Sequence, residues 1–198
     1  MRDPRRAYRV VDDFEQELCD FTGAPFAVSV DSATNGIFLA LLHERLVYGH
    51  DHATMVRHSY VGVLWALRNA GYTIDWTDEP WTTHYRIQPT RVVDSARRIA
   101  RDMYEPGTLT VLSHHAAKQL ALGRGGTILT DDADAAEWLR RARADGRAPG
   151  DTDPYAVAPG HHMYLPPPTA ALGLWILSRW THDPAPLPPD PYPDLSVL

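Results

Sequence analysis

The chain has 198 residues, 44% of them hydrophobic and 22% charged, with a net charge of −6; that is enough for one domain with a sizeable core, and the negative balance excludes the overall basic footprint of a general nucleic-acid binder. The single cysteine, Cys19, excludes an internal disulfide and suits a reducing compartment. No apolar run is long enough to cross a membrane, and residues 1–10 carry charges without an apolar core, so no signal peptide and a cytoplasmic location are expected.

Phe14, Leu18 and Phe21 fall at helical spacing within residues 11–22, and Gly23 is a good stop. Residues 24–30 read as a short strand, 31–36 as a polar turn and 37–46 as a helix. A strand, a small polar turn and a helix point backbone N–H groups at the space above the turn, a ready anion site; an ordinary helix capped by Ser32 or Thr34 is the plainer alternative. Strand 54–57, helix 63–70 closed by Gly71, and strand 72–76 continue a β-α-β alternation, which predicts an α/β fold with a mainly parallel sheet and flanking helices. Residues 78–89 are irregular and aromatic. Residues 91–96 read as a strand ending in Asp94, either at the carboxyl end where ligands sit in open α/β sheets or as the N-cap of a helix over 95–102. Strand 108–113 enters the stretch Ser113–Gly126, and strand 127–130 leaves it. Asp131, Asp132 and Asp134 cap a helix over 135–144 whose arginines complement its dipole. Residues 145–160 form a loop rich in Gly, Pro and Asp, and 169–177 an apolar helix. The domain is expected to span 1–180, with 181–198 as a proline-rich, extended arm lying on the domain or on a partner.

Lys118 is the only lysine among 19 basic residues; the other 18 are arginine. Arginine stays protonated, whereas a desolvated lysine amine can condense with an aldehyde. Codon bias alone could also leave a single lysine, so the neighbours decide. His114, His115, His161 and His162 suggest a metal site at first sight, but adjacent histidines chelate poorly and no Cys, Asp or Glu spacing supports them, so no metal is expected.

Seven segments, in order, resemble the DegT/DnrJ/StrS family of pyridoxal-phosphate (PLP) sugar aminotransferases. They are Phe14–Gly23, Ala27–Ile37, Ser59-Tyr60-Val61, Ala70–Ile74, Arg91–Arg97, Ser113–Gly126 with the following Thr127–Asp132, and Gly160–Leu174. The resemblance implies the large domain of fold-type I PLP-dependent transferases in a truncated form. It implies a Schiff base between PLP and Lys118, which then acts as base. Asp94 would pair with the pyridinium nitrogen and Tyr60 stack on the ring. Ser113 would bind the phosphate together with the Ser32, Ala33, Thr34 and Asn35 turn. Arg97 would sit near the cofactor's phenolic oxygen or bind a substrate carboxylate or phosphate. A homodimer with shared active sites is implied, His162 standing where the family's lending loop has Asn.

The sequence also departs from the family. A segment between Trp76 and Val92 looks deleted, Arg124 replaces a glutamate, Pro166–Pro168 replace other residues, and the small C-terminal domain that shapes the substrate pocket looks absent. The reading is therefore a PLP enzyme, an aminotransferase taking a small-molecule amino donor and a small or nucleotide-linked acceptor. The alternatives are a decarboxylase or rearranging enzyme on an amino-acid-modified base or nucleotide, as in phage DNA, and a non-catalytic PLP-fold partner. The arginine clusters Arg2/Arg5/Arg6/Arg9, Arg97/Arg98/Arg101 and Arg140/Arg141/Arg143/Arg147 would suit a nucleic-acid backbone, but the net charge disfavours it.

Overall fold

Strands buried on both faces must be covered by helices on both sides, and that requirement shapes this chain. The computed structural model describes residues 5–147, 158–188 and 191–198. Part of the 145–160 loop, Arg2, and the side chains of Arg5 and Arg6 therefore lie outside the described residues. The order is α1 (Arg5–Thr22), β1 (Phe26–Val30), α2 (Ala33–Tyr48), β2 (His52–Val56), α3 (Val61–Asn69), β3 (Thr73–Thr77), β4 (Tyr85–Arg86), β5 (Val92–Asp94), β6 (Leu109–Ser113), β7 (Gly126–Thr130), α4 (Ala133–Ala142) and α5 (Pro167–Leu177), with a 3-10 turn at Leu195–Val197. No helix among the described residues is long and apolar enough to cross a membrane.

Alternation along the strands divides the core in two. Val28, Val111 and Ile128 face a cluster built with α2, α3 and α4, while Ala27, Leu112 and Leu129 face a second cluster built with α1 and α5. The period-two pattern therefore buries successive side chains in opposite layers. Glu15 on α1 ties the layers together: it accepts from the amide of Ser29 at 2.7 Å, and Arg143 donates to the same carboxylate.

The architecture is α/β, but the sheet is mixed where the sequence leads to a mainly parallel one. Five strands run in the order β1-β7-β6-β5-β4, and in that sheet only β5–β6 is parallel. The reason is local. β6 and β7 are joined by the lysine loop as a hairpin, which forces antiparallel pairing, and β1 then pairs antiparallel to β7. β2 and β3 form a separate parallel pair. The short β4 segment joins the two sheets: Tyr85 and Arg86 pair with β5, and two residues later Gln88 exchanges both backbone bonds with Thr54 of β2, at 2.8 and 3.2 Å. A brief antiparallel strand thus fills the position where the sequence suggests a deletion.

No helix forms over 95–102. The amides of Asp102 and Tyr104 instead donate to the carbonyls of Phe21 and Thr22 at the end of α1, and Asp102 takes a positive φ of 49°. Asp94 is therefore not a helix cap; its Oδ1 accepts from the Ala96 amide at 3.0 Å across a tight turn.

The proline-rich segment lies on the domain. Its first part is held by Gln119, whose Nε2 donates to the carbonyl of Ala185 at 2.8 Å, and by Arg97, which donates to the carbonyl of Pro188. Beyond it, Leu195 is buried and its amide donates to the carbonyl of Arg57 at 2.9 Å.

Candidate active site

The lysine loop is a closed structure. Its two sides are bonded by the His114 amide to Gly125 O (3.0 Å), the Ala116 amide to Gly123 O (3.2 Å) and the Leu122 amide to His114 O (3.0 Å). His114 is fully buried edge-on to Phe14, with Nε2 2.8 Å from the Thr127 hydroxyl, and its burial pushes the imidazole down to about 3. Leu120 is buried on the other side of the lysine, and the Gln119 side chain accepts from the Ile99 amide at 2.8 Å. Anchors on both sides leave Lys118 to project into a cavity of about 470 Å³.

That cavity collects side chains from several other parts of the chain. Asp94 enters from the carboxyl end of β5 and is buried. Burial pushes its carboxyl above the usual range, while the Ala96 amide, the Tyr85 hydroxyl and the attraction of Lys118 pull it back. Ser113 enters from the end of β6, and Tyr60 from the start of α3. Ser32, Ala33 and Thr34 enter from the N-terminus of α2, where Ser32 caps the helix by accepting from the Asn35 amide at 3.2 Å.

Two glycines permit this convergence. A Cβ on Gly126, the first residue of β7, would lie 2.6 Å from the Ala33 amide nitrogen, so the strand leaving the lysine loop runs against the turn that opens α2. A Cβ on Gly62 would lie 2.5 Å from the Tyr60 ring and 2.9 Å from the Thr34 hydroxyl. Side chains at either position would push the α2 turn and Tyr60 away from the cavity.

The remaining sequence-derived candidates divide. Arg97 lines the cavity, but it is largely buried and its guanidinium also holds backbone carbonyls: Nε donates to Thr82 O at 3.3 Å and Nη2 to Pro188 O. Asn35 turns away; its side-chain amide donates to Asp31 Oδ1 at 2.7 Å. His162 stands outside the cavity, 69% exposed, with Nδ1 2.9 Å from the Asp145 carboxylate. Among the described residues no group of three or more His, Cys, Asp or Glu converges as a metal site would.

Sequence reasoning missed Tyr85, Trp81 and Tyr192. Tyr85 lies opposite Asp94 across the β4–β5 pair, its hydroxyl 2.6 Å from the buried Ser59 Oγ, and burial and Asp94 push its phenol well above the ordinary range. Trp81 and Tyr192 line the cavity and stack on each other, ring centroids 5.6 Å apart. The only advance signal was the aromatic density of residues 78–89. Of the arginine clusters, Arg143 is spent on Glu15, Arg141 pairs with Glu137, and Arg101 caps the Phe21 ring.

The arrangement is a buried acid, a lysine, an aromatic residue and a helix N-terminus around one cavity. These residues fit PLP: the α2 turn and Ser113 offer N–H and hydroxyl groups for a phosphate, and the buried carboxylate of Asp94 offers a counter-charge for a protonated ring nitrogen.

Known proteins resemble the chain over most of its length. The spore coat polysaccharide biosynthesis protein SpsC of Bacillus subtilis (strain 168) is 24% identical over 220 residues, covering 85% of this chain and 56% of SpsC. The structure of the sugar aminotransferase CalS13 from Micromonospora echinospora matches at 25% identity and a TM-score of 0.70, covering 86% of this chain and 60% of that one. NtdA from Bacillus subtilis, solved with bound cofactor PMP, matches at 17% identity and a TM-score of 0.70, over 85% of this chain and 47% of NtdA. The chain thus spans about half to three fifths of the length of these relatives. The DegT/DnrJ/EryC1/StrS aminotransferase family pattern fits residues 4–94 and 100–183, and the chain belongs to that family.

Proposed function

We propose that the chain is a PLP-dependent enzyme of the aminotransferase type, with Lys118 as the residue that bonds the cofactor. The observation that carries this reading is the convergence of Lys118, Asp94 and the α2 N-terminus on one cavity. When bound, PLP supplies the electron sink that lets an amino group leave one carbon skeleton and join another. The protein's part is to hold and orient it. Amides of the Ser32–Thr34 turn and the Ser113 hydroxyl bind the phosphate at the positive end of α2. Asp94 keeps the ring nitrogen protonated, and Tyr85 holds Asp94 in place. Tyr60 would cover the ring, and the Lys118 amine would bond the cofactor's aldehyde carbon and, when free, take up and return a proton at Nζ. The donor is a small amino acid, and the acceptor a small carbonyl compound of the sugar kind named for CalS13. As family members are read from sequence, two copies share their sites, with the exposed His162 as the residue each lends.

Absorbance spectroscopy tests the proposal. Wild-type protein incubated with PLP and desalted should keep a visible cofactor band, and Lys118→Ala should not. L-Glutamate should then bleach the band as the cofactor passes to its amine form. A wild-type protein that retains no PLP sinks the reading, and release of carbon dioxide in place of 2-oxoglutarate assigns decarboxylation instead.

A further inference from the structure

Pro184, Pro186 and Pro188 leave the segment after α5 without a backbone N–H at every second residue, so the domain must hold it largely by its carbonyls. Three side chains do so. Gln119 Nε2 donates to the carbonyls of Pro184 at 3.3 Å and Ala185 at 2.8 Å, Arg97 donates to the carbonyl of Pro188, and Arg101 Nη2 donates to the carbonyl of Trp180, where the segment begins, at 3.1 Å. A further tie runs from the Arg101 amide to Asp183 Oδ1 at 3.0 Å.

These ties reach the lysine. Arg97 lines the lysine cavity, and Gln119 follows Lys118 in the chain. Both polar atoms of the Gln119 side chain are engaged: Oε1 accepts from the Ile99 amide at 2.8 Å while Nε2 holds the proline-rich segment. Ile99 belongs to the same stretch as Arg97 and Arg101. Gln119 is therefore the vertex at which the lysine loop, the 95–102 stretch and the proline-rich segment meet. On one side of it the Lys118 amide donates to His115 O at 2.9 Å, and on the other Leu120 is buried. A shift of Gln119 would move the backbone that carries Lys118.

We propose that Gln119 is a positioning residue for Lys118: the docked proline-rich segment, acting through the two bonds that Gln119 donates, holds the lysine loop closed and so restrains the reactivity of the Lys118 amine. The assignment rests on the reading of Lys118 as the residue that reacts, and not on which cofactor or substrate it meets.

Acetylation of cofactor-free protein with N-acetoxysuccinimide tests it. Lys118 is the only lysine, so acetyl groups found on the peptide that bears it report one amine. At about pH 8, Gln119→Met, uncharged and of similar length, should raise the rate about fivefold, the change in open population expected from losing such bonds. Asp183→Ala loosens the segment from its own side and leaves Gln119 intact. It should react about twofold faster than Asp183→Asn, which removes the same charge but keeps an acceptor for the Arg101 amide. Asp183 is exposed, so the urea midpoint of Asp183→Ala should match that of wild type. A Gln119→Met rate equal to that of wild type, or equal rates in the two Asp183 variants, overturns the assignment. So does a faster Asp183→Ala whose urea midpoint has fallen, because the whole fold has then loosened. Should Gln119→Met not fold, the Asp183 pair decides alone. The two proposals fail separately: a wild type that retains no PLP defeats the functional reading, whereas the acetylation rates are measured without cofactor.

Discussion

Tyr85 and Asp94 are direct cross-strand partners in the antiparallel β4–β5 pair, so the phenol and the carboxylate share one face of the sheet, and the hydroxyl supports the acid from behind. Tyr85→Phe removes that donor and leaves the buried Ser59 Oγ without its 2.6 Å partner. The expected cost is about 1–3 kcal/mol of stability, together with weaker PLP retention because Asp94 becomes harder to ionise. Urea denaturation and cofactor titration measure the two effects. Unchanged PLP affinity would remove Tyr85 from the site.

Gly126→Ala tests the approach of β7 to the α2 turn. The added methyl would sit 2.6 Å from the Ala33 nitrogen and 2.8 Å from its Cα, both backbone atoms that cannot swing aside. Overpacking of this kind costs about 1–3 kcal/mol, and the displaced turn should bind phosphate less well. Thermal denaturation with and without added PLP separates the general loss from the local one: the variant should gain less from the cofactor than wild type does.

His114 predicts acid sensitivity. Its folded value of about 3 lies below the ordinary imidazole value of 6.5, so between those limits the unfolded chain binds the extra proton and stability falls as pH falls. By pH 5 the loss is about 2 kcal/mol from this group alone. His114→Gln, which keeps a side chain able to bond Thr127, should flatten the dependence of unfolding midpoint on pH between 6.5 and 4. A slope equal to that of wild type would assign the acid loss to other groups.

Glu15→Ala should be the most damaging of these changes. It strands Arg143, itself largely buried, and removes the acceptor for the Ser29 amide. Breaking one side of such a buried pair costs about 3–5 kcal/mol, which a denaturant melt would show directly. A loss under about 1 kcal/mol would mean that water reaches Arg143 after all.

Much of the site was legible because its signals are local. Lys118 stands out by uniqueness, Asp94 by its place at a strand end, and Ala33 and Thr34 by the polar turn that opens a helix, while Ser113 and Tyr60 entered through the family resemblance; all line the same cavity. Asn35 could not be resolved in advance, since a residue in the first helical turn can face the ligand or bond back to the residue four before it, and Asp31 won. Tyr85 was hidden because a two-residue strand has no periodicity to read. The helix expected over 95–102 lost to tertiary bonds with the end of α1. Tyr192 was illegible because a proline-rich segment carries no register; its ring stacks on Trp81, from elsewhere in the chain.

The hairpin around the lysine has a bearing on the order of assembly. β6 and β7 meet across a short loop, whereas β1 must find β7 from far upstream, Phe26 coming to lie opposite Thr130. Closing the longer loop costs about 2 kcal/mol more in chain entropy, and such distant contacts form late. The hairpin that carries Lys118 should thus close before β1 brings the Ser32–Thr34 turn to it. A cofactor held by both halves would then bind only after the long-range β1–β7 pairing has formed.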